Sequence, residues 1–143
     1  MAHRTIILKG NPARQEYTSG GAITPGMIVK LESDNTVIAN PWAGETIPLR
    51  IAIENDLEGE AVGDNYAVDE RVQTALFAPG DEVAVLLATS QTIVIGDHLE
   101  SVAGGYVGLH TQVTGTPDAA VKLQAKEAVT TTTAAALIRC EVF

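Results

Sequence analysis

Short apolar runs separated by turn residues recur along this chain, and they constrain its fold more than any other feature. The clearest runs are four to eight residues long, rich in β-branched side chains and bounded by Gly, Pro, Asn or Asp. No segment shows the sustained i, i+3, i+4, i+7 spacing of a capped amphipathic helix. The pattern therefore predicts an all-β fold, a compact β-barrel or β-sandwich of short antiparallel strands. The runs are residues 5–9, 27–31, 36–39, 82–88 and 136–143.

Turn residues stand directly before several of these runs. Gly26, Gly80 and Gly96 each precede a run, and glycine adopts the positive φ that a tight turn needs. Asp34 and Asn35 separate two runs of similar length. This arrangement predicts a β-hairpin around the Asp-Asn pair.

Residues 118–129 leave two interpretations open. Asp118 could cap a helix, and the Ala, Lys and Glu content of the segment favours one. Val121, Leu123 and Ala125, however, fall on alternate positions, which is typical of a strand. We favour the strand and keep the helix as the alternative.

The charge of the chain is negative and unevenly distributed. The net charge is −9 over 143 residues, yet residues 1–14 carry Arg4, Lys9, Arg14 and no acid, so they hold +3. The other six Lys and Arg residues stand against 18 acids, which gives −12 for the rest. An acidic surface repels nucleic acid, so nucleic acid is not an expected partner. The basic segment predicts a partner contact through its three cations, and a solvated strand and loop is the alternative.

The length predicts one folded domain. Residues 1–22 are predicted to form an N-terminal arm or edge strand, and residues 23–143 a single β-domain with a core that needs no disulfide or metal. Residues 54–70 hold seven acids and are expected to form a long exposed loop. Deleting residues 1–14 is expected to weaken partner attachment more than it lowers thermal stability.

Cysteine and hydropathy bound the setting of the protein. Cys140 is the only cysteine and lies in an apolar run, so we expect a buried, inert thiol and no intrachain disulfide. Residues 1–9 lack the pattern of a signal peptide. No apolar stretch reaches 18 residues, so no membrane span is expected.

The sequence carries no recognisable catalytic or metal-binding motif. His3, His98 and His110 lack the short ligand spacings of a zinc site. The acids of residues 54–70 could supply oxygens to calcium, but they do not follow the EF-hand pattern, so a solvated acidic face is favoured. Nucleophile-elbow, phosphate-loop, dinucleotide and zinc-protease motifs are absent. We therefore expect no catalytic residues, no cofactor, no metal and no enzymatic activity.

Trp42 is the single tryptophan, and it lies in a loop with Pro41 and Gly44. A tryptophan in such a loop can anchor a contact with another protein. It can equally cap the core of a barrel. Both interpretations stay open, and Trp42 joins Arg4, Lys9 and Arg14 as a candidate partner-binding residue.

The C-terminal half resembles the capsid decoration proteins of tailed bacteriophages, also called cement or head-stabilising proteins. The resemblance lies in the segments ALFAPGDEVAVLLA, IVIGDHLES, GGYVG and the closing TTTAAALIRCEVF, with ITPGMIVKL earlier in the same style. It implies a β-rich structural virion protein, made in the host cytoplasm, that binds the outer capsid surface.

The resemblance also implies the assembly and the partner. The subunit is expected to form a homotrimer, to sit at three-fold or quasi-three-fold positions of the major capsid protein, and to stabilise the expanded shell. The alternative is a ligand- or carbohydrate-binding β-module, which aromatic residues at only 4% of the chain disfavour.

Overall fold

The computed structural model describes residues 3–44, 48–111 and 122–143 and consists of short β-strands joined by turns. A 3-10 helix at Asp56–Glu58 is the one helix among these residues, and no described helix is long and apolar enough to cross a membrane. The prediction of an all-β fold is confirmed. The strands are β1 (Ile7–Lys9), β2 (Ala13–Ser19), β3 (Val29–Leu31), β4 (Thr36–Ala39), β5 (Arg50–Ala52), β6 (Arg71–Leu76), β7 (Glu82–Leu87), β8 (Thr92–Ile93), β9 (His98–Ser101), β10 (Val107–Leu109), β11 (Leu123–Ala125), β12 (Val129–Thr130) and β13 (Ala136–Val142).

Five strands of the C-terminal half close into a barrel. Their order is β7, β10, β9, β11, β13, and β13 pairs back onto β7. This closing pair is antiparallel and extends from Ala136 opposite Leu87 to Glu141 opposite Glu82. Closure leaves these strands without free edges along the barrel wall. The predicted barrel is therefore present, although β10 and β7 pair in parallel and not in the expected antiparallel sense.

Strand β7 is buried on both faces, which explains its nearly continuous apolar sequence. Val85 and Leu87 belong to the larger core cluster, whereas Leu86 packs against the smaller one. A strand with one face in water alternates apolar and polar residues, but a strand between two cores does not. Strand β7 thus separates the barrel interior from the other half of the molecule.

The N-terminal half forms a second sheet in the order β3, β4, β2, β6, β5. Its two outer strands are joined at one point by an antiparallel bridge between Ile28 and Ile51. Strands β3 and β4 form the hairpin predicted around Asp34 and Asn35. Strand β2 pairs with β4 in parallel and with β6 in antiparallel.

The segment predicted as an N-terminal arm contributes to both sheets. Strand β1 lies at an edge, antiparallel to β7, and Ile6 just before it is completely buried. Strand β2 lies inside the second sheet between β4 and β6. The backbone of residues 6–19 is therefore integral to the fold, and the domain boundary after residue 22 stays a prediction.

Gly26 lies where the two halves meet. Its N–H donates to the carbonyl of Ala52 at 2.8 Å, and its carbonyl accepts from the N–H of Leu86 at 3.0 Å. Its φ is +97°, and a Cβ atom here would come within 2.7 Å of the Leu137 side chain. The turn glycine predicted from the sequence thus also permits close packing between the sheets.

Three other expectations concern single segments. Residues 122–130 contain strands β11 and β12, which agrees with the favoured interpretation, while residues 118–121 lie outside the described part of the chain. Cys140 is a buried free thiol, and burial raises its pKa. The acidic segment 54–70 is mostly exposed, but Tyr66 within it is buried.

Tyr66 ties the acidic segment to the second sheet. Its backbone bridges to Ile23, and its hydroxyl donates to the carbonyl of Ile53 at 2.8 Å. Burial raises the pKa of this hydroxyl to about 12, so it remains a proton donor at neutral pH. Both ends of the acidic segment are therefore held by the sheet.

Candidate partner-binding surface

A groove opens beside Trp42 between the outer strands of the second sheet. The Ile28–Ile51 bridge joins the two strand regions, and the groove lies beyond it, between β3 and the residues that begin β5. Its volume is about 340 Å³, at the lower end of the range typical of ligand sites. We call this the Trp42 groove, and it is lined by Val29, Lys30, Leu31, Asn40, Trp42, Pro48 and Arg50.

Trp42 contributes a large, partly exposed ring to this groove. Its exposed fraction is 47%, and the Lys30 ammonium lies 4.5 Å from the ring centroid, within cation–π distance. A half-exposed indole is a frequent anchor in protein interfaces. Trp42 belongs to neither core cluster, and its contact with a partner stays a prediction.

Two cations line the groove in a chain of net charge −9. Lys30 also forms an ion pair with Glu32 at 2.9 Å, which partly neutralises it. The guanidinium of Arg50 lies 5.2 Å from the ring centroid of Tyr17. The groove thus combines an apolar floor with positive charge.

Asn40 supplies a buried acceptor in the same groove. The side chain is 1% exposed, and its Nδ2 donates to the carbonyl of Trp42 at 3.0 Å. Its Oδ1 is buried and has no hydrogen-bond partner in the described part of the chain. An unsatisfied buried acceptor carries a local energetic cost, and because this oxygen is enclosed, a group in the groove cannot reach it in this conformation.

The three cations predicted from the basic segment do not share this groove. Arg4 is exposed near the N-terminus, and Lys9 at the end of β1 lies 4.0 Å from Glu82. Arg14 on β2 lies 3.8 Å from Asp56, with both side chains more than half exposed. The Arg14–Asp56 pair is exposed and therefore weak. The Lys9 side chain is 70% exposed although Glu82 is buried, so all three cations remain accessible to a partner.

Lys30, Asn40 and Arg50 were not singled out from the sequence. Arg50 had a detectable signal, because it interrupts the apolar run of residues 47–53. Lys30 likewise stands between Val29 and Leu31. Asn40 had none, because its role depends on burial that only the folded chain creates.

The acidic segment carries an exposed turn of its own. We call the 3-10 helix Asp56–Glu58 the acidic turn, and its central residue, Leu57, is 75% exposed. Asp56 and Glu58 flank the leucine. This turn lines a different groove, together with Glu16 and Arg71 among others.

Glu60 is the acid with a clearly perturbed carboxyl in this region. Desolvation is the main cause that raises its pKa, and the charges of Glu70 and Glu58 add to it. Its Oε2 is enclosed and has no hydrogen-bond partner in residues 3–44, 48–111 and 122–143. Even so, no three His, Cys, Asp or Glu residues in these ranges are grouped so that they could hold a metal ion.

We expect Glu60→Gln to raise the melting temperature at pH 7. A carboxyl whose pKa is raised by folding opposes folding once it is ionised, and Gln removes that charge. Below the ordinary pKa of 4.5, Glu60 is protonated in both folded and unfolded states, so the gain should disappear. Thermal melts of both proteins between pH 3.5 and 8 test this. A lower melting temperature for the variant at pH 7 would mean that the carboxylate is stabilised, as a bound cation would do.

The histidines occupy three separate environments. His3 lies 2.6 Å from Glu127, whose pKa is lowered because hydrogen bonds from His3 and from the N–H of Arg139 outweigh the effect of burial. The His98 ring packs 5.2 Å from the ring of Phe143. His110 lies 3.1 Å from Glu100. Each histidine ring thus contacts a different side chain, and the three rings do not form one cluster.

Comparison with known proteins shows a similarity of fold. No protein-family model matches the sequence, and no curated protein matches it. Among solved structures, the chain is similar to the head fiber gp8.5 N base in bacteriophage phi29, with a TM-score of 0.60 and 11% sequence identity. The match covers 93% of this chain and 95% of that chain. At this identity the similarity shows a shared fold over nearly the whole length of both chains.

Proposed function

We propose that this chain is a structural, non-enzymatic protein of a tailed-bacteriophage virion, which attaches to the outer surface of the head. The observation that carries the proposal is the fold shared with the base of a phage head fiber over 93% of this chain. The partner is the major capsid protein, and the attached subunits stabilise the expanded shell. In the finer form of the proposal, the subunit assembles as a homotrimer at three-fold or quasi-three-fold positions.

The surface chemistry supports attachment to another protein. Arg4, Lys9 and Arg14 are exposed cations on a segment held firmly by β1 and β2. Trp42 adds a partly exposed aromatic ring. Cations steer a protein toward an acidic surface and aromatic rings anchor it there, so these residues can serve together without forming one cluster.

Co-sedimentation of the purified protein with expanded and unexpanded phage heads tests the proposal. We expect binding to expanded heads, together with greater resistance of those heads to heat. The double variant Arg4→Glu/Lys9→Glu should weaken binding by about tenfold, because it reverses two charges at the proposed contact.

The variant Arg71→Glu/Lys126→Glu is the matched control. It makes the same change in net charge at exposed positions outside the basic segment. Equal loss of binding in both double variants would show that only overall charge matters. Absence of binding by the unmodified protein to any head form would contradict the proposed function.

A further inference from the structure

Two complementary features lie at the two ends of strand β5 along the chain. Arg50 begins the strand and lines the Trp42 groove, while the acidic turn Asp56–Glu58 follows the strand after three connecting residues. One feature is a recess with positive charge, and the other is an exposed turn with negative charge. Two different patches that fit each other are what a head-to-tail contact between identical subunits requires.

The acidic turn exposes one apolar side chain between two acids. Leu57 is 75% exposed, so its side chain is available for an apolar contact with another molecule. The carboxylate of Asp56 faces Arg14 at 3.8 Å, and that of Glu58 accepts from the Asn55 side chain at 3.1 Å. Each carboxylate has further acceptor positions, so both can engage cations of another molecule.

The Trp42 groove has the matching chemistry. Val29, Leu31 and Trp42 give it apolar surface for a leucine side chain, and Lys30 and Arg50 supply positive charge.

We propose that the acidic turn of one copy docks into the Trp42 groove of a second copy. Leu57 enters the apolar part of the groove, and Asp56 and Glu58 face Lys30 and Arg50. Each subunit contributes both patches, so the contact is head-to-tail. Such a contact closes into a ring only when the rotation between neighbouring subunits permits it, and the trimer of the proposed function is one such ring. The inference rests on the self-association included in the proposed function and specifies the residues that mediate it.

Charge reversal on each side tests the contact. The groove variant is Lys30→Glu/Arg50→Glu, and the turn variant is Asp56→Lys/Glu58→Lys. Each should raise the dissociation constant of self-association at least about tenfold, because like charges then oppose each other. A chain with all four substitutions should associate almost as well as the original, since its two patches are again complementary. Mass is measured by size-exclusion chromatography with light scattering, and the constant by sedimentation equilibrium.

Leu57→Ser tests the apolar part without reversing any charge. It should weaken self-association, whereas Val68→Ser, at another exposed apolar position, should not. Both sites are on the surface, so both variants are expected to fold, and thermal melts verify this. If the charge variants do not fold, Leu57→Ser and Val68→Ser still test the proposed contact.

The outcomes separate the contact from the proposed function. Unchanged self-association in both charge-reversal variants, or an unmodified protein that is monomeric at micromolar concentration, would overturn the contact. Loss of head or glycan binding in the groove variant with unchanged mass would assign the groove to another ligand and would also overturn it. Head binding by the original protein is measured separately, so the proposed function can survive that result.

Discussion

Val85→Asp is expected to abolish the stable folded state. Val85 is completely buried in β7, opposite Ile138 of β13, in the pair that closes the barrel. An isolated carboxylate at this position would have neither water nor a cation. A buried charge without a partner costs about 3–5 kcal/mol, which is a large part of the roughly 5–15 kcal/mol that stabilises a typical domain. Circular dichroism and a urea titration would show the loss.

Val94→Asp is the matched control for this prediction. It is the same chemical change, but Val94 is 55% exposed. Its effect should stay within about 0.5 kcal/mol, as is usual for surface substitutions. If Val85→Asp folded with an unchanged unfolding midpoint, β7 would not lie between two cores.

Deletion of residues 1–14 is expected to lower the melting temperature by about 10 °C or more. The deletion removes β1 and the buried Ile6 side chain, whose loss alone costs about 2–5 kcal/mol. It also removes the bond from the Ile6 N–H to Glu54 at 3.1 Å and the bond from the Ala84 N–H to the Ile6 carbonyl at 2.9 Å. Differential scanning calorimetry measures the effect.

This expectation reverses the one drawn from the sequence, in which the deletion affected attachment more than stability. The double variant Arg4→Glu/Lys9→Glu serves as the control, because it changes exposed side chains and keeps Ile6 and the β1 backbone. It should melt within a few degrees of the original protein. An unchanged melting temperature after the deletion would show that β1 contributes nothing to the barrel.

Local signals predicted the secondary structure well. Alternating apolar residues indicated most strands, and Gly26, Gly80 and Gly96 all adopt positive φ at the expected turns. The hairpin around Asp34 and Asn35 was also predictable, because its strands are neighbours in sequence and its turn chemistry is local. In each case, the information lies within a few residues of the feature that it determines.

Strand β2 shows where local signals were insufficient. Its first four residues are exposed, and only Tyr17 and Ser19 in it are buried. Such a polar segment resembles a solvated arm, yet β2 is an inner strand because its backbone pairs with β4 and β6. Backbone hydrogen bonding leaves little trace in side-chain composition, so the sequence could not distinguish the arm from the strand.

The Trp42 groove could not be predicted from the sequence for a related reason. Trp42 was recognisable alone, but Lys30, Asn40 and Arg50 reach the groove from different segments. Their proximity depends on where the second sheet fails to close beyond the Ile28–Ile51 bridge. The strand register of the second sheet decides where this pairing stops, and no short segment of the sequence specifies that register.

The sequence by itself determined that this chain forms short β-strands with glycine turns, and that Cys140 lies in an apolar strand. Only the tertiary structure decided that β13 closes a barrel with β7 about fifty residues away in the chain. It also decided that Lys30, Trp42 and Arg50 line one groove. The physical reason is the distance along the chain over which each interaction acts. Backbone conformation and side-chain alternation act between neighbours, whereas strand pairing and grooves arise when distant segments bury apolar surface together.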